Sequence, residues 1–143
     1  MIAIGTNTDP YQPIEKKHEI MRGILKVLAK FNHPVGIVTK GMMIERDIDI
    51  LAPMAAKGLV RVGISITTLD NQTSRAMEPR VPLPARRLQT ISRLADAGIP
   101  VRVMVSPVVP ALTDHELELI LTASHIAGAV AASCIVLRLP REV

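Results

Sequence analysis

The stretch VRVGISITTLD, residues 60–70, decides how this sequence folds. It begins with closely spaced Val and Ile residues, which favour a β-strand, and it ends in hydroxyl-bearing and acidic side chains. Comparable short apolar runs occupy residues 2–4, 35–38, 101–105 and 134–137, and segments with helical spacing separate them. Strands that alternate with helices in this way predict an α/β fold with a parallel sheet.

The spacing between the strands predicts four helices. They extend from Pro13 to residue 31, over residues 46–57 with a division at Pro53, from Pro84 to Gly98, and from a capping box at Thr113 to Gly128. Because the strand runs are continuously apolar, we expect both faces of each strand to be covered. Residues 69–83 have the composition of a long functional loop.

Composition limits the kind of protein this is. At 143 residues with 48% hydrophobic content, the chain suits one domain, which we place over residues 1–143. Its 17 Lys and Arg residues exceed its 13 Asp and Glu residues, giving a net charge of +4. No apolar run approaches the roughly 20 residues of a membrane-spanning helix, and the N-terminus resembles no signal peptide, so we expect a cytoplasmic protein without a membrane partner.

Individual residue types exclude some sites and predict burial. Tyr11 and Phe31 are the only aromatic residues, which disfavours a protein that stacks bases on aromatic rings. The single cysteine, Cys134, excludes an internal disulfide, and its apolar surroundings predict a buried, inert thiol. In the first helix, the apolar stripe is predicted to face the core with Ile20, Ile24, Leu28 and Phe31, flanked by Met21 and Leu25.

Polar residues collect where the strands end. In parallel α/β folds the carboxyl ends of the strands meet at one edge, and ligands bind there. Taken in order, the predicted strand ends carry Thr6, Asn7, Thr8 and Asp9; Thr39 and Lys40; Ser65, Thr67, Thr68 and Asp70; Ser106; and Arg138. The sequence therefore predicts one site at this edge of the sheet.

These strand ends and the segments between them resemble the bacterial radical S-adenosylmethionine proteins related to spore photoproduct lyase. The resemblance rests on residues 5–15, 37–40, 46–51, 65–70, 77–80, 97–101, 107–110 and 136–140, which occur in the family's order. It implies a partial TIM-like (β/α)6 barrel in which the five strands correspond to the second through the sixth. It also implies S-adenosylmethionine and a 4Fe-4S cluster as the cofactors of a full-length parent.

The resemblance assigns a cofactor-binding role to eight residues. Thr6, Asn7, Thr8 and Asp9 take the place where the family meets the methionine amino group. Lys40 and Arg80 are candidates to pair with the cofactor carboxylate, and Ser65 and Thr67 could hydrogen-bond the ribose or that carboxylate.

Other interpretations of the same residues stay open. The loop from Asn7 to Pro10 could be an Asx-type turn, and Lys40 could be a solvated lysine at a strand end. Arg80 could pair with Glu78, and the two hydroxyls could satisfy barrel backbone. Two further pairs of charged residues have no assigned role. Arg46 and Asp47 are interpreted as a helix start with surface ion pairs, and Arg86 and Arg87 as a solvated helix face.

The family holds its cluster in a Cys-x-x-x-Cys-x-x-Cys loop, and Cys134 alone cannot replace it. We therefore expect the chain to be a fragment of a radical enzyme, inactive by itself. The resemblance leaves the substrate unknown, with DNA as one candidate, and an incomplete barrel predicts self-association through its exposed edges.

Two other functions fit the sequence. One is a Schiff-base aldolase with Lys40 as the nucleophile. The other is a non-catalytic module that binds phosphates or nucleic acid through Lys40, Arg80, Arg86 and Arg87.

Overall fold

Five parallel strands form one sheet in the order in which they occur along the chain. They are β1 (Ile2–Ile4), β2 (Val35–Thr39), β3 (Val60–Ser65), β4 (Val101–Val108) and β5 (Ala131–Val136). The computed structural model describes residues 1–139; residues 140–143, which end the predicted domain and include Pro140 of the last family segment, lie outside that range. All five predicted strands are confirmed, and so is the α/β class.

The connections contain six α-helices rather than the predicted four. These are α1 (Glu15–His18), α2 (Ile20–Lys30), α3 (Ile48–Ala56), α4 (Asn71–Met77), α5 (Pro84–Asp96) and α6 (Leu117–Ile126), with 3-10 turns over Met42–Asp47 and Asp114–Glu116. Among residues 1–139, no helix is long and apolar enough to cross a membrane.

The first predicted helix is two helices because the chain turns sharply at Glu19, whose φ is 51°. The carboxylate of Glu15 accepts hydrogen bonds from the backbone N–H groups of Ile20 and Met21 at 3.0 and 2.8 Å. These N–H groups begin α2 and have no partner within the helix, so Glu15 supplies the missing acceptor. A short α1 therefore places the cap for α2.

The predicted division at Pro53 is wrong, since α3 continues through that residue. The loss of one backbone donor is tolerated because Leu51 and Met54 on either side are buried in the core. The helix instead changes from 3-10 to α geometry between Asp47 and Ile48.

The predicted loop over residues 69–83 contains α4. Its first turn is capped by Asp70, whose carboxylate accepts from the N–H of Thr73 at 2.6 Å. The capping box predicted at Thr113 is wrong. The Thr113 hydroxyl accepts from the N–H of Val109, and Glu116 reaches away from its own helix to Thr68 and Leu69.

One face of the sheet forms the core and the other does not. Residues such as Val35, Ile37, Val62 and Val103 are almost fully buried against the helices. Their neighbours in sequence point to the opposite face, where exposure is intermediate or high for most residues. The expectation that both faces would be covered is therefore wrong for the part of the chain that the structure describes.

Burial on α2 also differs from the prediction. Met21, Leu25 and Leu28 are buried, but the other side of the helix exposes Ile20, Ile24, Val27 and Phe31. These four residues follow the spacing of a single helix face and are called here the α2 stripe. Cys134, predicted to be buried, is exposed on β5, the last strand in the order of the sheet.

Candidate functional site

A cleft of about 370 Å³ lies at the carboxyl ends of β1 to β4. Its polar lining consists of Thr6, Asn7, Thr8, Asp9, Thr39, Lys40, Ser65 and Ser106. Six of the eight predicted site residues line it, namely Thr6 to Asp9, Lys40 and Ser65. The cleft has the size of an ordinary small-molecule site and mixes donors with acceptors.

Gly5 allows the loop after β1 to lie against β2. Its φ is +92°, and an added Cβ would fall 1.9 Å from the carbonyl oxygen of Val38. No side chain fits that space, so only glycine lets the two strand ends approach this closely. The close approach places Thr6, Asn7 and Thr8 at the edge of the cleft.

Asp9 anchors this loop to the end of β2. Its carboxylate accepts from the Thr39 hydroxyl and the Lys40 backbone N–H, both at 2.7 Å, and from the Tyr11 N–H at 2.9 Å. The last contact, two residues along the chain, is the Asx-type turn that the sequence left open. With both oxygens engaged, Asp9 orients the loop, and the groups left for a ligand are those of Thr6, Asn7 and Thr8.

Lys40, which lines the cleft, belongs to an ion-pair cluster. The Lys40 ammonium lies 2.8 Å from Glu78, whose second oxygen lies 2.6 Å from Arg87. Burial raises the pKa of Glu78, but hydrogen bonds and charges from Lys40 and Arg87 outweigh it and leave the pKa below its usual value. An ammonium has three N–H donors, so Lys40 keeps two for a ligand in the cleft.

The interpretation of Arg87 as part of a solvated helix face is wrong. Its side chain is 2% exposed and donates to the carbonyl oxygens of Ser65 and Pro82 at 2.9 and 2.8 Å. It therefore ties α5 to the end of β3 and fixes Glu78 beside the cleft. Neither role follows a local sequence pattern, because the partners of Arg87 lie 5, 9 and 22 residues away on other segments.

The remaining predicted residues behave differently from one another. Thr67 is buried, and its hydroxyl has no hydrogen-bond partner among the described residues. Arg80 is exposed and lies outside the cleft lining. It does not pair with Glu78, whose oxygens are taken by Lys40 and Arg87.

A buried polar network surrounds Asp47, where the sequence predicted only surface ion pairs for Arg46 and Asp47. Asp47 is fully buried and contacts Arg46, Arg22 and the Tyr11 hydroxyl. Burial, followed by the charge of Asp47, raises the pKa of Tyr11, so the phenol stays protonated and donates to that carboxylate. Arg46 also reaches Glu15 at 3.0 Å, which joins the network to the cap of α2.

Arg86, the other residue interpreted as solvated, is paired as well. Its guanidinium lies 2.6 Å from Glu45, which also accepts from the Thr90 hydroxyl at 2.7 Å. Burial raises the pKa of Glu45, but the hydrogen bonds from Arg86, Thr90 and Arg93 more than offset this and lower it. This cluster ties α5 to the 3-10 turn before α3.

Comparison with known proteins identifies the family. A sequence model described as the Radical SAM superfamily matches residues 1–123, so the chain belongs to the radical SAM superfamily. It is 39% identical to the uncharacterized protein Rv2578c of Mycobacterium tuberculosis over 128 residues, covering 90% of this chain and 38% of that protein. It is 30% identical to the uncharacterized protein MJ0683 of Methanocaldococcus jannaschii, covering 80% of this chain and 43% of that one.

The fold is similar to that of Streptococcus suis SuiB in its crystal structure bound to S-adenosylmethionine. The TM-score is 0.70 at 14% identity, and the match covers 97% of this chain and 30% of SuiB. It confirms the predicted partial TIM-like barrel. The chain spans less than half the length of each of these three proteins.

Proposed function

We propose that this chain is the S-adenosylmethionine-binding part of a radical SAM iron-sulfur enzyme. The observation that carries the proposal is the polar cleft at the strand ends, in a chain that belongs to this superfamily. The five strands would form the second through sixth strands of a (β/α)6 barrel. The remaining parts of the enzyme would come from outside these 143 residues.

The cleft residues fit the amino-acid end of the cofactor. Its ammonium needs acceptors, which the carbonyls and side chains of Thr6, Asn7 and Thr8 supply. Its carboxylate needs a cation, and Lys40 offers two N–H groups from a partly buried ion pair. Ser65 would donate to or accept from a ribose hydroxyl. Thr67 lies two residues beyond Ser65 but is buried and does not line the cleft, so it gives this assignment no support.

An iron-sulfur cluster does not fit this chain alone. The sequence has one cysteine, and among residues 1–139 no three His, Cys, Asp or Glu side chains converge on a metal position. A 4Fe-4S cluster is held by cysteine thiolates, so we place its ligands outside this sequence. We accordingly expect the 143-residue chain to bind the cofactor and to carry out no radical chemistry.

The surface beside β1 supports an additional strand and helix there. A groove of about 490 Å³ lies beside β1 and the start of α2. Ala3, Ile4 and Ile20 form its apolar part, and Thr6 to Asp9, which also line the cleft, form its polar part. The α2 stripe continues this apolar surface, and Ile2 is also exposed. A strand beside β1 followed by a helix over α2 would cover both.

The substrate class is a separate part of the proposal. The resemblance to proteins related to spore photoproduct lyase makes a DNA lesion the first substrate to assay in a full-length relative. Both other functions have less support. Lys40 is held in an ion pair with Glu78, whereas a Schiff-base nucleophile needs an unpaired amine. Lys40, Arg86 and Arg87 are all paired with carboxylates, so they do not form a free basic surface with Arg80.

Calorimetric titration of the chain with S-adenosylmethionine tests the proposed function. We expect binding that weakens about tenfold or more in Lys40→Met, because one charged hydrogen bond is lost. Lys26→Met, an exposed lysine on α2, is the matched control and should bind like the wild type. Decarboxylated S-adenosylmethionine should bind the wild type and the Lys40→Met variant equally weakly. Equal affinity of Lys40→Met and wild type for the intact cofactor would contradict the assignment of Lys40.

A further inference from the structure

The face of the sheet that lacks a helical layer has a charge of one sign. Register pairs Gly36 with Arg61, Gly63 with Arg102, and Ser65 with Met104, so these six residues share one face. Ser65 and Met104 also line the cleft. This surface, called here the open face, therefore begins at the cleft and continues toward the amino ends of β3 and β4.

Two arginines lie at the far end of the open face. Arg61 and Arg102 are exposed, and neither takes part in any ion pair formed within residues 1–139. By contrast, five other arginines of the chain have carboxylate partners: Arg22, Arg46, Arg86, Arg87 and Arg93. Strands β2 to β4 place no Asp or Glu on the open face, so its positive charge is unbalanced there.

The two arginines are close enough to hold one anion. Arg102 is paired with Gly63 on the neighbouring strand, and Gly63 lies two residues after Arg61. The spacing between strands and the rise along them therefore separate the Cα atoms of Arg61 and Arg102 by roughly 8 Å. Neighbouring guanidinium groups repel each other, and a dianion between them removes that repulsion while accepting several N–H donors. Gly36 adds no side chain to this end of the face, and the Met1 sulfur would lie 3.8 Å from a Cβ added there.

Between the arginines and the cleft the surface is apolar. The sulfur of Met104 would lie 2.7 Å from a Cβ added at Gly63, and a methyl group of Val38 would lie 3.4 Å away. These side chains therefore cover the middle of the open face. Ser65 is four residues beyond Arg61, which places the cleft end roughly 13 Å from the arginine end.

We propose that Arg61 and Arg102 bind a phosphate group of the substrate, whose apolar part lies along Met104 and Val38 toward the cleft. The two guanidinium groups hold the phosphoryl oxygens and set the depth at which the substrate enters the open face. The inference rests on the proposed function only in placing that substrate next to a cofactor in the cleft. The phosphate site itself belongs to this chain and needs no cofactor.

The test is titration of the ¹⁵N-labelled chain with inorganic pyrophosphate at low and at physiological salt. We expect the Nε–Hε resonances of Arg61 and Arg102 and the amides around Gly63 to shift. The variant is Arg61→Gln/Arg102→Gln, and its affinity for pyrophosphate should fall about tenfold or more for each guanidinium removed. The matched control, Lys26→Gln/Arg75→Gln, removes the same charge from two other exposed sites and should stay within twofold of the wild type.

Equal loss in the two double variants would reveal general attraction to a basic protein and would overturn the proposal. So would the absence of localised shifts at the two arginines. Both arginines are exposed, so the variants are expected to keep the wild-type circular dichroism spectrum. Binding of S-adenosylmethionine is measured in parallel. If the chain binds S-adenosylmethionine but not pyrophosphate, this inference alone is refuted. If it binds pyrophosphate but not S-adenosylmethionine, the proposed function is refuted.

Discussion

Replacing Arg87 by Met should lower the free energy of unfolding by about 3–5 kcal/mol, the range for removing one partner of a buried ion pair. The guanidinium is 2% exposed and donates to Glu78, Ser65 and Pro82. Met fills much of the same volume but donates no hydrogen bond. Two buried carbonyls lose a donor, and Glu78 keeps only the partly exposed Lys40.

Urea unfolding followed by far-ultraviolet circular dichroism measures this loss. Arg87→Lys keeps the charge but cannot reach three acceptors with a planar fork, so it should lose about 1–3 kcal/mol and remain folded if the Met variant does not. The matched control is Arg75→Met, an exposed arginine on α4, which should change stability by less than about 0.5 kcal/mol. A loss below about 1 kcal/mol in Arg87→Met would refute the view that Arg87 holds β3, α5 and Glu78 together.

Three further predictions concern other positions. Folding lowers the pKa of Glu78 from 4.5, so the charged carboxylate stabilises the fold above that pH. The wild type should therefore be more stable than Glu78→Gln at pH 6, and this difference in the free energy of unfolding should shrink as the pH falls to 3. A difference that stays constant over this range would contradict the prediction. In urea titrations, Gly5→Ala should lower the free energy of unfolding by about 3 kcal/mol or more, because Gly5 has a positive φ and a Cβ there would meet the Val38 carbonyl. Gly23→Ala is the control: Gly23 lies on α2 with open space around it, so this change should be neutral or stabilising by up to about 1 kcal/mol. Cys134 should react with a thiol reagent in the native protein, and a requirement for denaturant would show that it is covered.

The strands could be predicted from the sequence because their cause is local. A run such as residues 60–66 is aliphatic and β-branched, and that composition favours a strand wherever it occurs. Polar residues directly after such runs could be placed at one edge of the sheet, because parallel strands share a direction. Six of eight candidate residues accordingly line one cleft.

The charged clusters could not be predicted in the same way. Arg87 follows Arg86 in a polar helix, and nothing nearby in the sequence distinguishes a buried arginine from a solvated one. Its burial depends on Glu78, which also pairs with Lys40, 38 residues earlier in the chain. The surroundings of Asp47 are likewise set by Tyr11 and Arg22, from other elements.

The prediction of burial at the edges of the sheet was wrong for a related reason. The apolar run at Cys134 favours a strand, but whether that strand is covered depends on the elements packed beside it. The same holds for the α2 stripe, because the side of the helix that faces the core depends on the elements packed against it, including α3, and not on hydrophobicity alone.

The most direct test of the account is to map S-adenosylmethionine onto the ¹⁵N-labelled chain by its amide shifts. We expect saturable shifts at Lys40, Ser65 and Ser106, which line the cleft and not the groove, and little change at Ile14, Ile20 and Met21, which line the groove and not the cleft. Residues 6–9 line both and do not distinguish the two sites. Shifts confined to that groove, or none at millimolar cofactor, would contradict the claim that the polar cleft is the cofactor site.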